Sequence, residues 1–168
     1  NPTNYTLVAT DNLTAKTDST VTPSVKNEYD GGFILPSPQT VTVAGNESTV
    51  VNYYYIRNSY TLSLGKNSYI SGVSGAGTYH YGKSVTINVT LASATGYTYT
   101  FTNWTSSNTS LIPNQSAATV TITMPAGNVT LTANASKTAN SGIVYTIEYY
   151  LETLTSGEFE LAESGEET

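Results

Sequence analysis

The chain has 168 residues, no cysteine and a formal net charge of −6 at pH 7. The lack of cysteine excludes a disulfide, a zinc–thiolate centre, an iron–sulfur cluster and a catalytic thiol. Charged residues make up 11% of the chain, against roughly 25% in an average soluble domain. Thr, Ser and Asn supply the missing polarity, which is typical of secreted β-proteins, and no apolar run is long enough to predict a membrane span.

The negative charge is concentrated at the C-terminal end. Seven of the twelve acids lie there: Glu148, Glu152, Glu158, Glu160, Glu163, Glu166 and Glu167. The remaining five acids share residues 1–147 with all six Lys and Arg residues, so that part of the chain is nearly neutral. Nothing resembles a basic groove, and nucleic acid is therefore not expected as a partner.

The first predicted module comprises residues 1–58. Residues 5–10 give one weak strand. Val41 and Val43 then form one arm of a predicted hairpin, AGNE forms its turn, and residues 50–56 form its second arm. Only this one weak strand precedes the hairpin.

The second predicted module comprises residues 59–137 and carries the clearest period-two alternation, which is typical of half-buried strands. The positions predicted to face inward are Val85, Ile87, Val89 and Leu91, then Val120, Ile122 and Met124, and, after a chain-reversing PAGN turn, Val129, Leu131 and Ala133. No segment shows helical period beyond about two turns. The predicted fold class is all-β, with two small sheet modules that are β-grasp-like or sandwiches.

A third element follows a predicted linker at residues 138–142. GIVYTIEYYLE predicts a strand at residues 144–151, and Phe159 and Leu161 alternate with Glu160 as on an edge strand. Residues 143–168 are therefore expected to form a strand or hairpin outside the second module.

The second module contains YTLSL, GTYHYGKSVTINVT, GYTYTFTNW and VTITMPAGNVTLTANA. These strings resemble the divergent internalin-B-type repeat of bacterial surface proteins over residues of about 59–137. The aromatic block GYTYTFTNW is two residues longer than the usual spacing. The flanking pieces, GIVYTIEYYLE and STVVNYYYIRN, resemble mucin-binding-type and related β-grasp-like repeats.

In β-grasp-like repeats the opening and closing strands lie side by side. The resemblance implies that the module at residues 1–58 lacks its first strand, and that residues 143–168 are the opening strand or hairpin of a further repeat and act as a donor-type element. The resemblance therefore implies a donor strand formed by Val144, Tyr145, Thr146, Ile147, Glu148, Tyr149, Tyr150 and Leu151. It implies an acceptor formed by Val50, Val51, Tyr53, Tyr54, Tyr55 and Ile56. A sheet that lacks a central strand leaves backbone groups unpaired at roughly 1 kcal/mol or more each, so either the chain folds back or the strand docks into another copy.

The resemblances imply a tandem repeat of an extracellular adhesin or filament, on the cell surface or secreted, with no enzymatic activity and no cofactor. The expected partner is the chain itself, as head-to-tail copies or tandem repeats. The alternative is a carbohydrate-binding module that takes host or environmental glycans. Tyr97, Tyr99 and Trp104 are the candidates for a sugar-stacking platform, although core packing is the simpler role for such aromatics.

Other candidate sites have simpler interpretations. His80 lacks a recognisable nucleophile and acid, which indicates a structural histidine. Asp11, Asp18 and Asp30 are too scattered for a calcium loop, and YDGG predicts a turn. No metal site or catalytic residue is expected. An internal isopeptide crosslink would need a buried lysine, for which Lys16 and Lys26 are weak candidates.

N-x-S/T sequons are frequent. They occur at Asn4, Asn12, Asn46, Asn88, Asn103, Asn108, Asn114, Asn128 and Asn134. Strands rich in Thr raise this number by chance, and whether glycans are attached depends on the host cell.

Overall fold

The computed structural model describes residues 4–106, 108–112 and 114–167. Within these ranges the chain contains strands and two short 3-10 helices, Asn27–Tyr29 and Thr109–Leu111, which confirms the all-β class. The strands are β1 (Thr20–Val21), β2 (Phe33–Ile34), β3 (Val41–Thr42), β4 (Ile56–Arg57), β5 (Ser59–Lys66), β6 (Ile70–Ser74), β7 (Gly77–His80), β8 (Ser84–Leu91), β9 (Tyr97–Ser106), β10 (Thr119–Thr123), β11 (Val129–Ala139), β12 (Tyr145–Glu152) and β13 (Phe159–Glu167).

The central part of the chain is a two-sheet sandwich. One sheet has the order β10-β8-β6, and the other has the order β7-β5-β11-β9, in which β5 and β11 run parallel. Alternate side chains from both sheets meet in one core. The buried residues are Leu62, Ile70, Val85, Ile87, Val89, Trp104, Ile112, Val120, Ile122, Met124, Val129, Leu131, Ala133 and Ala135. The inward-facing positions predicted from alternation are confirmed, with Leu91 partly buried against this core.

The connection between β10 and β11 differs from the prediction. The PAGN segment does not close a hairpin, because β10 pairs with β8 in one sheet and β11 pairs with β5 and β9 in the other. The segment instead carries the chain across the sandwich. Alternation determines which face of a strand is buried, but it does not determine the neighbouring strand.

A β-bulge interrupts the aromatic block of β9. Asn134 is opposite Asn103 and Ala135 is opposite Phe101, so Thr102 has no partner on β11. Phe101 and Trp104 are three residues apart, and a regular strand would place them on opposite faces. The extra residue returns both rings to the core side, where they pack edge to face with centroids 6.0 Å apart.

Residues 4–58 do not form the predicted hairpin. β3 pairs with β1 and β4 pairs with β2, so residues 41–56 are not paired arm to arm. Residues 5–10 are not a strand either. Tyrosine hydroxyls bind the backbone of other parts of this segment: Tyr53 Oη donates to the Pro23 carbonyl at 2.6 Å, and Tyr55 Oη accepts from the Lys26 N–H at 2.6 Å.

Asn58 lies at the junction between the N-terminal segment and the sandwich. Its N–H donates to the Gly32 carbonyl at 3.0 Å, and its carbonyl accepts from the Tyr81 N–H at 2.8 Å. The Phe33 ring packs edge to face on Tyr81, with centroids 5.8 Å apart. Backbone bonds and aromatic contacts therefore hold the two parts together.

We expect Gly32→Ala to weaken this junction. A Cβ at residue 32 would lie 2.5 Å from the Tyr81 ring, so the ring or the backbone must move, at a cost of about 1–3 kcal/mol. Gly127→Ala is the matched control, because a Cβ there meets nothing within 4 Å. Urea unfolding monitored by tyrosine fluorescence measures both changes, and equal midpoints for the two variants would contradict the close contact.

The predicted linker is shorter than residues 138–142. β11 extends to Ala139, which pairs with Tyr97, and the Asn140 N–H donates to the Gly96 carbonyl at 2.9 Å. These bonds continue the sheet across the first part of the predicted linker. The next strand, β12, pairs antiparallel with β13 as a separate two-stranded hairpin, with a bulge opposite Tyr149 and Tyr150.

Candidate self-association surfaces

The first surface is one face of the C-terminal hairpin. Along β12, Tyr145, Ile147, Tyr149 and Leu151 alternate with Thr146, Glu148, Tyr150 and Glu152 and so share a face. Tyr149 is 53% exposed and Leu151 is 61% exposed. We call the Tyr145, Ile147, Tyr149 and Leu151 set the donor face. It is an apolar stripe on a hairpin of two strands, and such a hairpin is marginally stable by itself.

The other face of the hairpin carries Glu148, Tyr150 and Glu152 of β12, with Leu161 opposite Tyr150 and Phe159 opposite Glu152. The Tyr150 hydroxyl donates to the Glu148 carboxylate, and this hydrogen bond raises the pKa of Tyr150 above its usual value. Glu152 Oε1 accepts from the Gly157 N–H at 2.9 Å and so supports the turn. Phe159 and Leu161 of β13 are also exposed. The antiparallel pairing of β12 with β13 agrees with the predicted hairpin at residues 143–168.

The predicted acceptor lies mostly outside regular structure. Residues 50–55 form no strand, and only Ile56 belongs to β4. Val50 is 73% exposed and Ile56 is also exposed, whereas Tyr53, Tyr54 and Tyr55 are half-buried. Within the residues that the structure describes, β4 is hydrogen-bonded to one strand, β2. No strand of the described residues pairs with the other edge of β4.

The structure does not bring the predicted donor and acceptor together within the chain. β12 is paired with β13, and no strand between residues 50 and 57 pairs with either of them. The donor role of residues 144–151 and the acceptor role of residues 50–56 stay predictions. Because β13 pairs with one edge of β12, a partner could pair with the other edge or pack on the apolar face.

The predicted sugar-stacking set is wrong in one member. Trp104 is 0% exposed at the centre of the core, because the bulge at Thr102 turns it inward. Tyr97 and Tyr99 lie at the far end of β9, where Tyr97 is 43% exposed. The Lys137 ammonium lies 3.5 Å from the Tyr97 ring centroid, and Tyr99 packs edge to face on Tyr69. An exposed tyrosine cluster therefore exists without the tryptophan.

His80 and the isolated acids take part in local contacts. His80 Nδ1 lies 3.0 Å from Ser59 Oγ, and these residues are opposite each other where β7 pairs with β5. Asp30 Oδ1 accepts from the Gly31 N–H at 2.8 Å in the predicted turn. No group of three or more acidic or histidine side chains that could hold a metal ion occurs among the described residues.

Lys26 is unsuited to an isopeptide crosslink. Its ammonium lies 2.9 Å from Asp11 Oδ2 in a surface ion pair, and the hydrogen bond to Asp11 raises the pKa of Lys26. A crosslinking lysine is expected to be buried beside an amide. Lys16 lies in an exposed segment and offers no such surroundings either.

The sequon asparagines differ in how free their amide nitrogens are. Asn134 is half-buried, and its Nδ2 donates to Asn103 Oδ1 at 3.1 Å, so a glycan there would break this contact. Asn128 uses its Oδ1 to accept from the Thr61 N–H at 2.8 Å, which leaves Nδ2 at an exposed position. Glycosylation at the nine sequons stays a prediction.

The comparisons with known proteins identify the sandwich. Residues 60–139, from β5 to the end of β11, match the family model described as the divergent InlB B-repeat domain. This part of the chain is similar to the divergent InlB B-repeat domain, and we call it the InlB B-repeat below. The predicted resemblance over residues of about 59–137 is confirmed. No curated protein and no solved structure matches the chain significantly.

The InlB B-repeat family occurs in bacterial surface proteins, and a repeat of a surface protein fits this chain. No helix among the described residues has the length and apolar character to cross a membrane. The family match covers the sandwich and does not extend to the segments on either side of it. The resemblance of the flanking segments to mucin-binding-type repeats stays a prediction.

Proposed function

We propose that the chain is a non-enzymatic structural repeat of an extracellular adhesin or filament, on the cell surface or secreted. Its copies assemble head-to-tail when the C-terminal hairpin adds β12 to residues 50–56 of an adjacent copy or tandem repeat. The exposed donor face on a separate two-stranded hairpin is the observation that carries this proposal. The InlB B-repeat supports the surface-protein setting.

The energetics favour association. Each large apolar side chain that becomes buried contributes about 1.5–3 kcal/mol, and the donor face has four such side chains, of which Tyr149 and Leu151 are more than half exposed. Pairing β12 with the open edge of β4 would add backbone hydrogen bonds, as in β-augmentation. The contact is heterologous, so it propagates into chains of copies unless it closes into a ring.

The test is the self-association of the intact chain measured by sedimentation velocity over a range of concentrations. We expect Ile147→Lys/Tyr149→Lys to raise the dissociation constant at least 100-fold, because two ammonium groups would replace two buried apolar groups. The melting transition of the InlB B-repeat should not change, since neither residue belongs to its core.

Leu154→Gln is the matched control, because it replaces an exposed apolar side chain of the hairpin without adding a charge. Leu154 is a fully exposed apolar residue of the same hairpin but lies between β12 and β13 rather than in a strand. It should leave association within about twofold of the wild type, in line with a surface substitution of ±0.5 kcal/mol. A wild-type chain that stays monomeric at millimolar concentration would overturn the proposed assembly.

A second candidate function rests on the tyrosine cluster. Tyr69 and Tyr97 are exposed and Tyr99 packs beside Tyr69, so the cluster offers aromatic faces on which a pyranose ring could stack. Lys137 over Tyr97 adds a positive charge. This supports binding of a glycan of the host or the environment. Calorimetric titration with acidic and neutral oligosaccharides tests it, and unchanged heats for Tyr69→Ala/Tyr97→Ala would count against it.

A further inference from the structure

A cleft opens beside β4, next to the predicted acceptor. Its volume is about 320 Å³, and its lining residues are Arg57, His80, Tyr81, Gly82 and Lys83. Arg57 is the second residue of β4, and His80 ends β7. The turn after β7 brings Lys83 back to the same place, because the Lys83 N–H donates to the His80 carbonyl at 3.0 Å. Two cationic side chains thus line one cleft.

The Arg57 guanidinium is held in position. Its Nη1 donates to the Tyr81 carbonyl at 3.0 Å, and its Cζ lies 4.9 Å from the centroid of the Phe33 ring. A carbonyl and a phenyl ring carry no formal charge, so neither contact neutralises the positive charge of Arg57. A guanidinium that is already fixed loses little side-chain entropy when it binds a carboxylate, and it can bind one through two parallel hydrogen bonds.

No carboxylate of the described residues pairs with Arg57 or Lys83, since the ion pair found among them joins Lys26 and Asp11. The most acidic part of the chain is the hairpin. At the hairpin tip, the Glu158 and Glu160 carboxylates are exposed and form no hydrogen bond or ion pair with the described residues. The charges of the cleft and the tip are therefore complementary.

We propose that the cleft binds the glutamates at the hairpin tip of a second copy, and that the donated strand consequently runs parallel to residues 50–57. This inference rests on the proposed strand donation and deepens it, because it sets the polarity and the register of the contact. The Arg57 and Lys83 side chains of one copy face Glu158 and Glu160 of the next.

The polarity follows from the proposed contact between the tip glutamates and the cleft. β12 has 8 residues, which equals the number of residues from 50 to 57. In a parallel alignment Glu152 lies opposite Arg57, and the hairpin turn continues into the cleft. In an antiparallel alignment the tip lies beside Val50, about 23 Å from Arg57 at 3.3 Å per residue. The tip glutamates, Glu158 and Glu160, can therefore reach the cleft only in the parallel arrangement, whereas the antiparallel arrangement would place Glu166 and Glu167 there instead.

Charge reversal in the intact chain tests the pairing. We expect Arg57→Glu/Lys83→Glu to weaken self-association at least tenfold at low salt, and the loss should shrink as salt rises. Adding Glu158→Lys/Glu160→Lys to the same chain should restore association to within about threefold of the wild type. Lys16→Glu/Lys137→Glu is the control, because it changes the net charge equally at positions outside the cleft.

Disulfide trapping tests the polarity, and the chain has no cysteine of its own to interfere. A Val50→Cys chain mixed with a Tyr145→Cys chain should crosslink at least fivefold faster than one mixed with a Leu151→Cys chain. The reverse order would overturn the parallel arrangement.

The outcomes separate this inference from the proposed function. Suppose that Ile147→Lys/Tyr149→Lys abolishes association, but that Arg57→Glu/Lys83→Glu weakens it no more than the control Lys16→Glu/Lys137→Glu. Strand donation then stands, and the assignment of the cleft is wrong. If Arg57→Glu/Lys83→Glu weakens association and adding Glu158→Lys/Glu160→Lys does not restore it, the cleft binds a different anion. That result would also overturn the assignment.

Discussion

Replacing Trp104 by alanine is expected to lower the free energy of unfolding by about 3–5 kcal/mol, the usual range for a fully buried tryptophan. The indole is wholly enclosed between the two sheets and packs on Phe101. Its removal leaves a cavity that β9 and β11 cannot close, because their backbones are fixed by pairing over residues on both sides. Urea unfolding followed by circular dichroism measures the loss.

Two further variants make this result interpretable. Tyr97→Ala, at the exposed end of the same strand, should cost less than about 1 kcal/mol. Trp104→Phe should cost less than Trp104→Ala, because it keeps an aromatic ring and removes an indole N–H that is buried without a hydrogen bond in the described structure. Losses of similar size for Trp104→Ala and Tyr97→Ala would place Trp104 on the surface.

Gly75→Ala is expected to destabilise the InlB B-repeat by about 3 kcal/mol or more. Gly75 lies between β6 and β7, where the chain passes from one sheet to the other, and its φ is +103°. A Cβ there would lie 2.6 Å from the Thr86 carbonyl oxygen, which is backbone and cannot rotate away. Backbone strain and overpacking each cost about 1–3 kcal/mol, and thermal unfolding measures their sum.

Gly96→Ala separates these two contributions. Gly96 also has a positive φ, of +78°, but a Cβ at this position meets nothing within 4 Å. The variant should therefore lose about 1–2 kcal/mol from the left-handed backbone alone. If Gly75→Ala loses no more than Gly96→Ala, the close approach of residue 75 to β8 does not exist in solution.

The sandwich could be predicted from the sequence because its physical signal is local. Val85, Ile87 and Val89 on β8 alternate with polar residues, and burial on one face of a strand requires this pattern. The partners of each strand could not be predicted in the same way. The residues of β10 and β11 give equally good alternation, yet they belong to different sheets, since the neighbours depend on how the whole core packs.

The flanking segments show where local patterns mislead. The run from Val50 to Ile56 has high strand propensity, but Tyr53 and Tyr55 use their hydroxyls to bind the backbone near Pro23 and Lys26. Long-range hydrogen bonds of this kind leave no periodic trace in the sequence. The cleft at Arg57 and Lys83 was missed for the same reason, because those residues are 26 positions apart and meet through pairing of β5 with β7.

The parallel pairing of β5 with β11 has a mechanical consequence. These are the first and last strands of the InlB B-repeat, so the polypeptide enters the domain at one end and leaves it at the other. Tension applied to the flanking segments would slide the two strands along each other in shear. Their hydrogen bonds would then have to break together rather than one after another. A row of such repeats is suited to transmitting force along its length without unravelling.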